Sequence, residues 1–218
     1  MTTLLHLDAS VRGDRSLSRR LSRGFTEAWL AARPGTRVLR RDLATEAPPF
    51  VDQAWIAASF TDPEARTPDM REALAASDAL IDELEAADLI VLGTPMFNYG
   101  MPARLKAWVD QVIRIGRTFS FDLARGDSPL EPILFGKTLV LLTSTGEFGF
   151  APSGPRATIN HLDTHIEAVR GYLGVGQAFH IGVEYQEFGD QRHAASLEAA
   201  IAAVPRLAAQ LARPEQSA

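Results

Sequence analysis

Two short, uninterrupted apolar runs, Leu89-Ile90-Val91-Leu92 and Leu139-Val140-Leu141-Leu142, constrain this chain more than any other feature. Successive side chains of a strand point to opposite faces of its sheet, so a half-exposed strand alternates polar with apolar residues. A strand that is apolar at every position has to be covered on both faces, as in a parallel sheet with helices packed on each side. The neighbouring segments supply such helices. The stretch 18–33 sets Leu21, Phe25 and Trp29 at four-residue spacing, and 69–87 carries Met70, Leu74, Ser77, Ile81 and Leu84 on one stripe. Pro102 suits the first turn of a third helix with Leu105, Trp108, Val109, Val112 and Ile113 on its core face. Further strands are expected at 4–8, 36–42 and 177–183. Further helices are expected through Leu162, Ile166, Val169 and Leu173 and from Gln191, with Pro205 kinking or shortening the last.

Strands alternating with helices through right-handed crossovers give an α/β fold of three layers. The expected sheet is parallel and five-stranded, in the order 2-1-3-4-5, with ligands beyond the carboxyl ends of the strands where the first and third diverge. The loops after strands one, three and four are therefore the ones to inspect. The 218 residues suit one domain, taken as 1–212 with 213–218 as a C-terminal tail. Pro48, Pro49, Pro63 and Pro68 interrupt 43–68, which keeps no period and reads as a long surface excursion bearing Phe50, Val51, Trp55, Ile56 and Phe60. The short alternating stretch 118–122 reads as a small extended excursion.

The first loop, from Asp8 to Ser18, places Ser10, Ser16 and Ser18 at the mouth of a helix. Hydroxyls together with the unpaired N–H groups and positive dipole of a helix N-terminus make a site for a phosphate. A single serine there is more often only an N-cap. Neither the GxGxxG of dinucleotide sites nor the GxxxxGK[ST] of triphosphatases is present, so a monophosphate fits better than a pyrophosphate. The second loop, Gly93-Thr94-Pro95-Met96-Phe97-Asn98-Tyr99-Gly100-Met101-Pro102, is aromatic and bracketed by prolines, able to lay apolar groups against a planar ring. The third, Thr143-Ser144-Thr145-Gly146-Glu147-Phe148-Gly149-Phe150, is small and hydroxylated, and Gly146 would let the backbone approach a ligand edge. Each loop alone has an ordinary structural reading; their shared position at the switch point favours the functional one.

Composition narrows the classes. A net charge of −5 offers no footprint for nucleic acid or an anionic membrane, and the absence of cysteine excludes disulfides, thiolate metal sites and thiol nucleophiles. No apolar stretch approaches the ~18 residues a membrane helix needs, and no secretion signal is visible, so a cytoplasmic protein is expected. His161 and His165, four apart on an expected helix, lack the HExxH context, and no metal is expected. His6 and His180 fall within strands and read as satisfied structural histidines. Ser10 lacks the GxSxG elbow of a hydrolase nucleophile.

Leu7-Asp8-Ala9-Ser10 with Ser16-Leu17-Ser18-Arg19, the block Pro95-Met96-Phe97-Asn98-Tyr99, the stretch 106–121 and Thr143-Ser144-Thr145-Gly146 together resemble the FMN-dependent NADH-azoreductases and quinone reductases, in order and over nearly the entire chain. The resemblance implies a flavodoxin-like FMN-binding domain, a homodimer with active sites at the subunit interface, and two-electron ping-pong reduction of quinones and azo compounds by NADH or NADPH. It implies that Ser10, Ser16, Leu17 and Ser18 hold the FMN phosphate. Met96, Phe97, Asn98, Tyr99, Ser144, Thr145, Gly146 and Glu147 would flank the isoalloxazine, with no side chain serving as a covalent catalyst. Glu147 stands where the family often has a second glycine. The alternative is a flavodoxin-type electron carrier that binds FMN without oxidising NAD(P)H itself; a flavin-free nicotinamide dehydrogenase would be colourless.

Overall fold

The computed structural model describes residues 1–213. Its main sheet is formed by β1 (Thr3–Asp8), β2 (Arg37–Asp42), β3 (Leu89–Pro95), β6 (Lys137–Ser144) and β7 (Val175–Val183), all parallel, in the order β2-β1-β3-β6-β7. This is the expected 2-1-3-4-5 order of main-sheet strands. All seven residues of β3 are buried, as its apolar run requires.

The period of two along each strand divides the core into two halves. Leu5 and Leu7 of β1, Ile90 and Leu92 of β3, and Leu139 and Leu141 of β6 face α3 (Pro68–Ala86), α4 (Ala103–Val112) and α5 (Asp163–Val169). Leu4, Leu89, Val91, Val140 and Leu142 face the other way, onto α1 (Leu17–Ala32) and α6 (Gln191–Leu211). The helix periodicity is kept: Leu21, Phe25 and Trp29 of α1 are buried against Val204 and Ala208 of α6.

Two expectations are corrected and a third is extended. Pro205 does not end α6, which runs unbroken to Leu211. An interior proline costs about 3 kcal/mol, and the packing of Ala200, Val204 and Ala208 onto the α1 side of the sheet offsets it. The excursion 43–68 contains α2 (Gln53–Ser59), capped by Asp52, whose Trp55 is buried beside Leu74 and donates from Nε1 to Gln111 Oε1 at 2.9 Å. Seven residues are too few to show a helical period. The extended piece near 118–122 is β4 (Phe119–Phe121), and it has a partner the sequence did not suggest, the antiparallel β5 (Leu130–Pro132). The boundary of the tail at 213–218 lies, apart from residue 213, outside the described residues. No described helix is long and apolar enough to cross a membrane.

Candidate functional site

The carboxyl ends of β1, β3 and β6 bring the three inspected loops to one edge of the sheet. After β1 the chain turns through residues 9–16 into α1. Ser10, Ser16 and Ser18 are all buried there, and the Ser16 and Ser18 hydroxyls are 3.1 Å apart. Ser16 is the N-cap of α1 and accepts from the Arg19 N–H at 3.2 Å, so its structural role is present alongside any ligand role. The N–H groups of Leu17 and Ser18 lie in the first turn, where a helix leaves donors without carbonyl partners.

A charged scaffold holds this loop from beneath. The Arg19 guanidinium donates from Nε to the Ser10 carbonyl at 2.8 Å and from Nη1 to Asp42 Oδ2 at 2.9 Å, tying the loop to the end of β2. The hydrogen bond from Arg19 holds the Asp42 carboxyl below the usual aspartate range. Asp8, at the end of β1, accepts from Ser22 Oγ at 2.7 Å and sits opposite Gly93 of β3. A Cβ on Gly93 would stand 2.4 Å from Asp8 Oδ1 and 2.8 Å from Ser22 Oγ, so only glycine fits there. His6, buried on β1, meets Thr26 Oγ1 and Arg40 Nη1 with Nδ1 at 3.3 and 3.1 Å, and its Nε2 lies 3.3 Å from Asp8 Oδ2. His180 on β7 is partnered by Thr143 Oγ1 at 2.7 Å.

The loop after β3 makes a tight reversal. Phe97 and Gly100 exchange backbone hydrogen bonds of 3.0 and 2.9 Å around Asn98 and Tyr99, whose φ values are 48° and 65°. Two central residues with positive φ make this a primed turn, usually filled by glycine or asparagine. Asn98 tolerates that conformation; for Tyr99 it costs roughly 1–3 kcal/mol. The His161 N–H, donating to the Tyr99 carbonyl at 2.8 Å, helps to hold it. His161 therefore precedes α5 rather than sharing its face with His165, contrary to the expected helix.

The loop after β6 is fixed by backbone. Thr145 N–H donates to the Val183 carbonyl, and the carbonyls of Thr145, Gly146 and Glu147 accept from Gln186, Glu187 and Tyr185 at 3.2, 3.1 and 3.0 Å. The segment 184–187 thus extends β7 as an arm beside the third loop. Phe148 stacks on Tyr185 with centroids 4.5 Å apart, and the Arg156 guanidinium lies 4.4 Å over the Phe148 ring while its Nε is 2.8 Å from the Glu147 carboxylate.

Two adjoining hollows result. One, of about 320 Å³, is lined by Ser10, Arg12, Ser16, Leu17, Pro95, Met96, Phe97, Ser144, Gly146, Gln186 and Glu187. The other, of about 180 Å³, is lined by Met96, Asn98, Tyr99, Thr145, Gly146, Glu147, Phe150 and Glu187. They share Met96, Gly146 and Glu187 and form one cleft with a hydroxyl end and an aromatic end. Every sequence-derived candidate except Ser18 lines it; Ser18 is fully buried behind Ser16. Sequence reasoning missed Gln186 and Glu187, because nothing in the local sequence signals that the chain beyond β7 lies against the third loop. A wider groove of about 600 Å³ between α1 and α6 meets only the first of the three loops.

The cleft can be compared with what is known. Residues 2–207 match a family model described as flavodoxin-like fold. The chain is 50% identical over 204 residues to an FMN-dependent NADH:quinone oxidoreductase of Idiomarina loihiensis, covering 90% of this chain and 85% of that protein. It is 48% identical over 218 residues to one of Colwellia psychrerythraea, covering 97% and 100%. A solved structure of an azoreductase from Bacillus anthracis superposes with a TM-score of 0.85 at 22% identity, covering 96% of this chain and all of that one, a likeness of fold. The chain belongs to the flavodoxin-like family of FMN-dependent NADH:quinone oxidoreductases.

Proposed function

We propose that this protein is an FMN-dependent NAD(P)H:quinone oxidoreductase that also takes azo compounds, working by a two-step exchange in one cleft. The observation that carries the reading is the joining of a buried hydroxyl end to an aromatic end across a glycine-floored middle. The donor set suits FMN: hydroxyls at a helix N-terminus for a phosphate, and a flat, strained aromatic turn for a ring. When bound, FMN supplies the hydride chemistry.

The protein's own part is binding and orientation. Ser10 and Ser16, with the first-turn N–H groups of Leu17 and Ser18, hold the phosphate, and Ser18 acts by fixing the Ser16 hydroxyl. Met96, Phe97, Asn98 and Tyr99 would form one wall for the ring, and Ser144, Thr145, Gly146 and Glu147 the facing edge, where the N–H groups of Gly146 and Glu147 would be the donors. No covalent catalyst is required. NAD(P)H and the acceptor occupy the same open space in turn.

The same reading includes a homodimer in the cytoplasm, where nicotinamide nucleotides are supplied. Its support is an apolar surface in search of cover: Phe50 is 76% and Phe60 70% exposed, beside a hollow of about 440 Å³ lined by Val51, Trp55, Ile56 and Val109.

The decisive experiment reconstitutes the purified protein, removes free flavin, and chromatographs what denaturation releases. FMN is expected, together with NADH oxidation by a soluble quinone without any added reductase and with parallel double-reciprocal lines. Release of FAD, or no retained flavin, would defeat the reading; flavin without NADH oxidation would make the protein a carrier. Sedimentation as a monomer at micromolar concentration would remove the dimer alone.

A further inference from the structure

Among the described residues, Glu187 is the one acidic side chain that lines both hollows of the cleft. Its place is fixed through the backbone: its N–H donates to the Gly146 carbonyl, and the flanking Gln186 N–H donates to that of Thr145. The side chain then folds back over Gly146. A Cβ there would lie 2.6 Å from Glu187 Cδ and Oε1 and 2.8 Å from Cγ, so the absence of a side chain at 146 makes room for the carboxylate of 187. Among the described residues this carboxylate has no hydrogen-bond donor and no cation, unlike Glu147 and Glu184. Glu147 pairs with Arg156, and Glu184 accepts from the Gly149 N–H.

An ionised carboxylate only accepts hydrogen bonds and repels anions. The group that comes to rest beside Glu187 must therefore carry O–H or N–H donors and no negative charge. Glu187 stands at the junction between the hydroxyl end and the aromatic end, where a cofactor lying along the cleft presents whatever links its phosphate to its ring. We infer that Glu187 is the acceptor for hydroxyl hydrogens of the cofactor's ribityl chain, and that it fixes the cofactor's direction by excluding phosphate from the middle of the cleft. The inference rests on the FMN reading above. It makes Glu187 a specificity-determining residue for a flavin with a polyol chain over a bare ring.

The test is the affinity of the apoprotein for FMN, riboflavin and lumiflavin, followed by flavin fluorescence in the natural protein, Glu187→Gln and Glu187→Ala. Glu187 is exposed, so the apoprotein melting temperature should be the same in all three. The expected result for Glu187→Ala is that FMN and riboflavin both bind about tenfold more weakly, the loss of one charge-assisted hydrogen bond. Lumiflavin, which has no hydroxyls, should keep its affinity, and Glu187→Gln should fall between. A rise in FMN affinity with riboflavin unchanged would show that the carboxylate only repels phosphate and would overturn the inference. So would unchanged affinities, or an equal loss for all three flavins. Failure of the natural protein to bind FMN would instead strike the proposed function and take this inference with it.

Discussion

The hydroxyl end of the cleft is held from beneath by side chains, whereas the aromatic end is held from the side by backbone. Beneath Ser10 and Ser16, Arg19 spans from the Ser10 carbonyl to Asp42, and Asp8 and Ser22 fill the space over Gly93. Around Gly146 and Glu147 the contacts are carbonyls accepting from the arm after β7, closed by the Phe148–Tyr185 stack and a half-buried ion pair. A side-chain scaffold depends on the identity of each residue. A backbone scaffold tolerates side-chain change as long as the two segments stay adjacent. The same substitution should therefore act differently at the two ends.

Glycine to alanine is the sharpest comparison. At Gly93 the new methyl would meet Asp8 Oδ1 and Ser22 Oγ, which are bonded to each other and enclosed by the sheet and α1. Overpacking of that kind costs about 1–3 kcal/mol, which for a chain of this size is a fall in Tm of roughly 2–12 °C. FMN affinity should fall as well, because Asp8 leads directly into the phosphate loop. At Gly146 the obstacle is the free end of the Glu187 side chain, which can swing into solvent. Gly146→Ala should leave Tm within ~2 °C, corresponding to less than about 0.5 kcal/mol, while still weakening FMN. Equal melting of the two variants, measured by calorimetry on apoprotein, would break the comparison.

Acid should expose the hydroxyl end next. The Arg19 hydrogen bond, and secondarily the Ala44 N–H, hold the Asp42 carboxyl below its ordinary value of 3.8 against the opposing effect of burial. A carboxyl whose folded value is depressed adds stability above its unfolded value and loses it as pH falls through the folded one. The urea midpoint of the natural protein should therefore fall more steeply than that of Asp42→Asn between about pH 5 and pH 2. At neutral pH, Asp42→Asn should speed amide hydrogen exchange at 10–16 and leave 145–149 unaltered. Equal acceleration in both loops would mean that the clamp stabilises the domain generally rather than one end of the cleft.

The same contrast explains what was legible in the sequence. The parallel sheet followed from two apolar runs and the helices between them, because burial on both faces leaves a strand few alternatives, and its order is the commonest one for five such strands. Ser10, Ser16 and the block from Met96 to Tyr99 were legible because each lies next to the strand end that positions it. Gln186 and Glu187 were not, since their place depends on pairing between loops some forty residues apart. Trp55 was read as surface because a seven-residue helix shows no period, and its burial depends on Leu74 and Gln111 from elsewhere in the chain. Pro205 misled because local propensity was outweighed by packing.

The smallest expected effect concerns Glu147, and its sign tests how the aromatic end handles charge. A lone carboxylate beside the cleft would oppose the negative charge that a flavin gains on reduction. Glu147 is not alone, because its carboxylate is 2.8 Å from Arg156 Nε, and Arg156 is further fixed over the Phe148 ring. Seen from the cleft the pair is close to neutral. Both partners are about one-third exposed, at 34% and 30%, so solvent screens what remains. Removing the carboxylate by Glu147→Gln leaves an uncompensated guanidinium and should raise the two-electron potential of bound FMN. Arg156→Gln leaves the carboxylate and should lower it. An exposed charge at this range is worth at most about 1 kcal/mol, so each shift should be about 20 mV or less. The double variant restores neutrality and should return to the natural potential, a pattern that spectroelectrochemical titration of the four proteins resolves by sign. Shifts of the same sign in both single variants would mean that the pair acts by ordering the third loop, with charge as a bystander. In that case the exchange rates of 145–149 should rise in both variants, whereas an electrostatic role leaves them unchanged because the backbone bonds to the arm persist.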